Sequence, residues 1–424
     1  MDSKKAIWGW ALYDWANSAF ATTVMAGFFP LLFKDFWCAG VDQTVSTARL
    51  SMANSVAGIT VALLAPILGA IADKGTNKKK FLLFFATMGI VMTAGLFLVE
   101  HGLWKLAVGL YIFGAIGFSG GNIFYDSLIT SVASGKNLDT VSALGFSLGY
   151  LGGGALFALN VWMANNPEWF GFADIGQAVR FGFLSVAIWW AVFSIPIFLL
   201  VKEPRSEKRI SVGQMVISGI KQLLETFRKI RQMKMILLFL LAYWLYIDGL
   251  DTIVRMAVDY GKSLGFANED LIKALLIVQF VGFPAALGYG YLGKSIGAKR
   301  AILLGIVIYL GITFWGVFMQ AKWEFYVMAV AIGLVQGGIQ ALSRSMYARM
   351  IPADKSAEFF GFYNMLGKFA VVIGPIMMGG VGLLVRRMGY SSDIASRVGL
   401  GSIALLFVAG GIMLCFVKVQ PQKI

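Results

Sequence analysis

Charge is what this sequence has least of. Only 14% of its 424 residues are Asp, Glu, Lys or Arg, against 58% hydrophobic, and the mean hydropathy is +0.75. A soluble domain carries roughly 25% charged residues, so 36 basic and 22 acidic side chains are too few to clothe a core of this size in water. Metal-binding side chains are scarce as well. One histidine, His101, lies between apolar segments and reads as an exposed loop residue, and two cysteines, Cys38 and Cys415, stand at opposite ends of the chain. That leaves no zinc or haem site and no disulfide framework, and no metal or cofactor is expected. These shortages exclude a soluble enzyme, a disordered chain and a nucleic-acid binder. The net charge of +14 points instead to anionic lipid headgroups and to topology.

Glycine and long apolar runs are what the sequence has in quantity. Fifty glycines suit closely packed membrane helices, where small residues let backbones approach. A crossing helix needs roughly 20 apolar residues. Twelve such runs are present, at about 6–33, 50–72, 81–100, 104–133, 139–164, 178–201, 235–260, 270–293, 301–321, 323–348, 358–385 and 395–417. Barrel strands would alternate in short segments, so the expected fold is an all-α polytopic membrane protein of twelve transmembrane helices. Met1–Lys5 leads straight into the first run, so no cleavable signal is expected.

An even number of spans puts both termini on one side. With the termini in the cytoplasm, 23 of the Lys and Arg residues fall in cytoplasmic segments, 10 in outer loops, and three, Arg255, Arg344 and Lys368, inside spans. That bias orients the chain with both termini inside. The longest polar stretch, 202–234, mixes apolar residues with Lys221, Arg228 and Lys229 in a helical rhythm. It reads as a basic amphipathic linker lying along the membrane surface.

The linker separates halves that echo each other. Ala115–Gly121 in span four matches Ile332–Gly338 in span ten at an offset of 217, and Leu144–Ser147 matches Phe360–Tyr363 at 216. Gly69-Ala70-Ile71-Ala72-Asp73-Lys74 after span two matches Gly290–Ser295 after span eight at 221. Three weak matches at nearly one offset predict a duplicated six-helix unit, with bundles at 1–201 and 235–424, the pattern of alternating-access transporters.

A charge at the bilayer centre costs about 2.5–3.5 kcal/mol on insertion scales, so polar groups within spans are expected to face a cavity or a partner. Span one holds Tyr13, Asp14 and Asn17, with Asp14 and Asn17 on one face at i and i+3. Span four holds Asn122, Tyr125 and Asp126, and span five Tyr150. Span seven holds Tyr246, Asp248, Asp251 and Arg255. Asp248 and Asp251 repel within one turn, an arrangement suited to proton coupling, while Arg255 follows Asp251 at i+4 and suits a structural ion pair. Gln279 in span eight, Gln336, Gln340 and Arg344 in span ten, and Tyr363, Asn364 and Lys368 in span eleven complete the candidate pathway. Asp126 and Arg344 are also candidate gate partners. In the loop after span two, Gly69 permits close helix contact, Asp73 can cap a helix end, and Lys74 with Lys78–Lys80 holds the loop at the headgroups, a latch for a cytoplasmic gate.

These residues resemble a known family. Gly69–Lys80 is similar to the signature loop of the major facilitator superfamily. Trp10–Phe20, Gln336–Ser345 and Phe359–Lys368 resemble motifs of the "unknown major facilitator" family, which includes fungal vacuolar amino-acid effluxers. The resemblance implies two pseudo-symmetric six-helix bundles that transport a small solute by a rocker switch, with neutral amino acids as the cargo of the fungal relatives. Two departures stand out. Lys294 occupies the place where the second signature loop often has Asp, so that latch is absent or reversed, and Asp251 adds a second acid to span seven.

The function expected is secondary active transport of a small polar solute, an amino acid or related metabolite, coupled to protons or another ion. The alternative on the same scaffold is a lipid flippase or a non-transporting solute sensor. A membrane enzyme lacks a nucleophile–base pair here, and no phosphate-binding glycine loop for ATP is present. Short loops suggest a bacterial inner membrane, and a monomer is expected.

Overall fold

Helices make up every regular element in the computed structural model, which describes residues 3–41, 43–75, 78–135, 137–203, 225, 228, 233–263, 266–369 and 373–418. The chain opens with α1 (Lys4–Ala19), which runs into a π-helical stretch (Phe20–Phe28), α2 (Phe29–Leu32) and a second π-helical stretch (Phe33–Trp37). Pro30 offers no N–H, and its ring crowds the carbonyl four residues back, Ala26. Widening the preceding turns to the i→i+5 pattern relieves that clash without breaking the span. Then follow α3 (Gln43–Gly75), α4 (Lys78–Leu96), α5 (Trp104–Val132), α6 (Leu138–Asn165) and α7 (Ile175–Leu200). Beyond the linker come α8 (Lys234–Ser263), α9 (Asn268–Ile296), α10 (Ala298–Phe318) and α11 (Lys322–Met350). The chain ends with α12 (Ser356–Phe369), α13 (Ile373–Arg387), α14 (Ser392–Ser402) and α15 (Ala404–Phe416).

Among the described residues, ten helical stretches are long and apolar enough to cross a membrane: those of α3 to α11, and Ile394–Phe416 across α14 and α15. The remaining two expected runs are the first, which alternates α and π geometry, and the eleventh, described as α12 and α13. A count of twelve is consistent with this arrangement. The expected linker helix lies outside the described residues, apart from its edges and residues 225 and 228.

Two compact units form. The first takes Met1–Ser134, Leu148–Ile220 and Ala353–Gly361; the second takes Gly135–Ser147, Lys221–Pro352 and Phe362–Ile424. Both close on themselves with the same device. In the first, Lys79 at the start of α4 reaches the end of α7, donating from Nζ to the carbonyls of Phe198 (2.6 Å) and Val201 (2.8 Å). In the second, Lys299 at the start of α10 donates to the carbonyls of Cys415 (2.6 Å) and Val417 (3.0 Å) at the end of α15. The last carbonyls of a helix have no partner within it and carry partial negative charge, which a lysine satisfies on both counts. The offset between the two lysines continues the sequence echo.

Hydrogen bonds to a charged group contribute about 1.5–3 kcal/mol each. Lys79→Met is therefore expected to lower the thermal unfolding midpoint of the purified protein by several degrees, followed by tryptophan fluorescence; an unchanged midpoint would show the contact to be idle.

Candidate polar pathway and gate residues

In the first unit α1 meets α5 through four polar side chains. Tyr125 donates its hydroxyl to Asp14 Oδ2 at 2.8 Å, and Asn17 Nδ2 donates to Asn122 Oδ1 at 2.6 Å. The i, i+3 spacing on α1 is answered by i, i+3 spacing on α5, so the pairs stack one above the other. Trp10 fixes the lower end: its ring stacks on Tyr125 at 4.5 Å and its Nε1 donates to the Tyr125 carbonyl at 2.9 Å. Tyr13 is fully buried, 5.1 Å from the Tyr125 ring. Asp126 and Tyr150, in the same unit, are buried as well.

In the second unit Asp248 is fully buried on α8. Its Oδ1 accepts the Gly374 N–H on α13 (3.0 Å) and the Thr252 hydroxyl one turn on (3.3 Å). Tyr246 and Ser343 join their hydroxyls at 2.7 Å; Ser343 gives its own proton to the Ile339 carbonyl, so Tyr246 is the donor. Tyr363 is buried in an aromatic cluster, stacked on Tyr243 at 4.1 Å and on Tyr347 at 5.1 Å. Asp251, Gln279, Gln336, Gln340 and Asn364 are half-buried. The side chains of Arg255, Lys368 and Lys74 lie outside the described residues. Among the described residues no group of His, Cys, Asp or Glu is arranged to hold a metal ion.

The signature loop is held tightly within the first unit. Asp73, its side chain 2% exposed, accepts the first N–H groups of α12, from Ala357 (3.1 Å) and Glu358 (2.7 Å). Lys78 pairs with the same carboxylate at 2.9 Å and donates to Ser356 at 2.7 Å. Gly69 lies directly against the Ala357 carbonyl, and a Cβ there would collide with main chain. Glu203 in turn accepts the Lys78 and Lys79 N–H groups at the head of α4 (2.7 and 3.4 Å).

The second unit has a clamp of different make. Asp139, at the start of α6, pairs with Arg349 at 2.8 Å and accepts the Ser345 hydroxyl at 2.5 Å, both on α11. Arg344 donates to Ser142 from Nε and Nη2, each at 2.9 Å, and lies 4.3 Å from the Phe146 ring centroid. Lys294 of the second signature loop is exposed. Sequence reasoning singled out Arg344 and missed Asp139, Arg349 and Ser345. An acid in the first turn of a helix and a base in the last turn are ordinary features, and nothing local links residues about 200 positions apart.

An all-helical chain of apolar spans with this polar interior has the fold of a membrane transporter of the major facilitator type. The solved structure of the proton:xylose symporter XylE matches it with a TM-score of 0.71 at 14% identity, covering 98% of this chain and 94% of that one. The sequence goes further. The chain belongs to the family described as vacuole effluxer Atg22 like, which matches residues 2–48, 39–140 and 131–423. YxiO, an MFS-type transporter of Bacillus subtilis (strain 168), is 37% identical over 416 residues, covering 97% of this chain and 95% of that protein. Autophagy-related protein 22 of Coccidioides immitis (strain RS) is 24% identical, covering 99% of this chain and 88% of that one.

The Asp139 clamp can be tested by exchange. Asp139→Arg and Arg349→Asp are each expected to destabilise the protein by about 2 kcal/mol, because each leaves a largely buried charge facing a like one. The double exchange is expected to recover at least half of the loss in thermal unfolding; additive losses would show that the pair does not act as a unit.

Proposed function

We propose that the protein is a secondary active transporter for a small polar solute, an amino acid or a related metabolite, coupled to protons or another ion. The observation that carries this reading is Asp248: a fully buried carboxylate in an apolar span, held by a main-chain N–H and a hydroxyl. A group so costly to bury is retained where it has work to do. Asp14 is its counterpart on the first span, held by Tyr125. In this reading Asp14, Asp248 and Asp251 take up the coupling ion. Tyr13, Asn17, Asn122, Tyr125, Asp126, Tyr150, Tyr246, Gln279, Gln336, Gln340, Tyr363 and Asn364 line the path, and Arg255 and Lys368 attract anionic groups. Asp73 with Gly69 and Lys74, and Arg344 beside the Asp139–Arg349 pair, form the cytoplasmic gate. The names of relatives support the direction of the argument: Atg22-like proteins are called vacuole effluxers, and XylE is a proton symporter. The two six-helix halves, monomeric state, cytoplasmic termini, contact with anionic headgroups and placement in a bacterial inner membrane belong to the same proposal.

The test is uptake into proteoliposomes of the twenty amino acids, their amides and a set of sugars, with and without an imposed pH gradient. Gradient-driven uptake is expected for at least one solute and is expected to fall roughly tenfold or more in Asp248→Asn, the scale of a lost transition or binding contact. Flux of every solute that ignored both the gradient and the substitutions Asp14→Asn and Asp248→Asn would end the coupling proposal.

A further inference from the structure

The second unit also carries a groove lined throughout by apolar side chains. It lies between α9 and α11, has a volume of about 680 Å³, and takes its walls from Ile277, Phe280, Val281 and Pro284 on α9 and Leu334 on α11. That volume is in the range of ligand-holding clefts. The two helices meet closely beside it: a Cβ on Gly333 would come within 3.1 Å of the Val278 carbonyl oxygen and of Val281. The rims are open, with Phe280 45% exposed and Leu334 50% exposed. On a chain that crosses a membrane, such side chains face lipid tails as apolar as themselves.

A stripe on α9 leads from the groove to charged groups. Lys273, Ile277, Phe280 and Pro284 follow one another at spacings of four, three and four, which places them on one helix face. At 1.5 Å per residue the stripe is about 16 Å long, close to the roughly 15 Å of hydrocarbon in one leaflet. At its head Lys273 pairs with Glu269 at 2.6 Å, and Lys322 at the start of α11 pairs with Asp270 at 2.5 Å. Asp270 is fully engaged, since it also accepts the Tyr326 hydroxyl (2.7 Å) and the Ala267 N–H (3.3 Å). Glu269 is 75% exposed and open to a second cation. An ammonium group has three donors, so each lysine keeps some to give. Two acids and two bases repel a headgroup of single sign as much as they attract it. A headgroup with both signs matches them.

We infer that α9 and α11 form a site for a phospholipid with an ethanolamine headgroup. One acyl chain fills the groove, the phosphate accepts from Lys273 and Lys322, and the ethanolamine ammonium donates to Glu269. A choline headgroup has no N–H to donate, and a glycerol headgroup has no positive charge to set against Glu269. The site requires only that the chain lies in a bilayer, whichever solute it carries.

Native mass spectrometry of the detergent-solubilised protein, titrated with palmitoyl-oleoyl phosphatidylethanolamine, phosphatidylcholine and phosphatidylglycerol, tests the site. The ethanolamine lipid is expected to bind about tenfold more tightly than the other two, the scale of one charge-assisted contact. Glu269→Gln is expected to erase that preference by weakening the ethanolamine lipid alone. Lys273→Gln is expected to weaken all three about tenfold. Ala285→Trp fills the groove, and Phe280→Ala removes one wall if the tryptophan variant does not fold. Either is expected to weaken all three lipids and leave the order of preference in place. Equal affinities in the wild type, or phosphatidylglycerol binding most tightly, overturn the headgroup assignment. Lipid binding that ignores both groove substitutions overturns the site.

Discussion

Helix ends are the constraint on which this structure turns. The first N–H groups and last carbonyls of a helix have no partner within it, so where water does not reach them the partner must come from elsewhere in the protein. The chain does this with charged side chains delivered from other helices. Acids go to the heads: Asp73 to α12 and Glu203 to α4. Lysines go to the tails: Lys79 to α7 and Lys299 to α15. Each contact satisfies orphan backbone groups and matches the sign of the helix dipole. A sequence with so few charges therefore spends several of them on fixing where helices begin and end.

The same economy explains why structural and functional roles overlap. Asp73 and Asp248 both accept main-chain N–H groups, but their surroundings differ. Asp73 has Lys78 at 2.9 Å and shares it with Ser356, so its charge is balanced on the spot. Asp248 has a hydroxyl and an N–H and leaves one oxygen unpartnered among the described residues. A balanced carboxylate is a fastening. One held only by neutral donors is open to exchange with a proton, a cation or another carboxylate. That difference, more than depth in the bilayer, separates the candidate site from the latch.

Much of this was legible in the sequence because it is written locally. Apolar runs are read from the chain directly, and the spacing of Asp14 and Asn17, within one turn, predicts a shared face on α1. The glycine-acid-lysine loop carries its own physical meaning for the same reason. What escaped is what depends on distant partners. Lys78 and Lys79 look like orientation charges until the head of α12 and the tail of α7 lie beside them. Nothing near Tyr363 in the sequence announces the stacking of Tyr243 and Tyr347 on its ring. The π-helical turns before Pro30 follow from a clash that proline predicts, but the proline alone does not say whether the helix will widen or break.

The two clamps, finally, differ in what can disturb them. Asp73 holds main-chain N–H groups of α12, so substitutions on α12 leave the acceptor's partners in place so long as the helix starts at the same residue. Asp139 holds side chains, Arg349 and Ser345, and Arg349 is 21% exposed. Salt and water reach that pair, and side-chain charge pairs weaken when screened. One clamp is thus held through backbone and the other through side-chain charge.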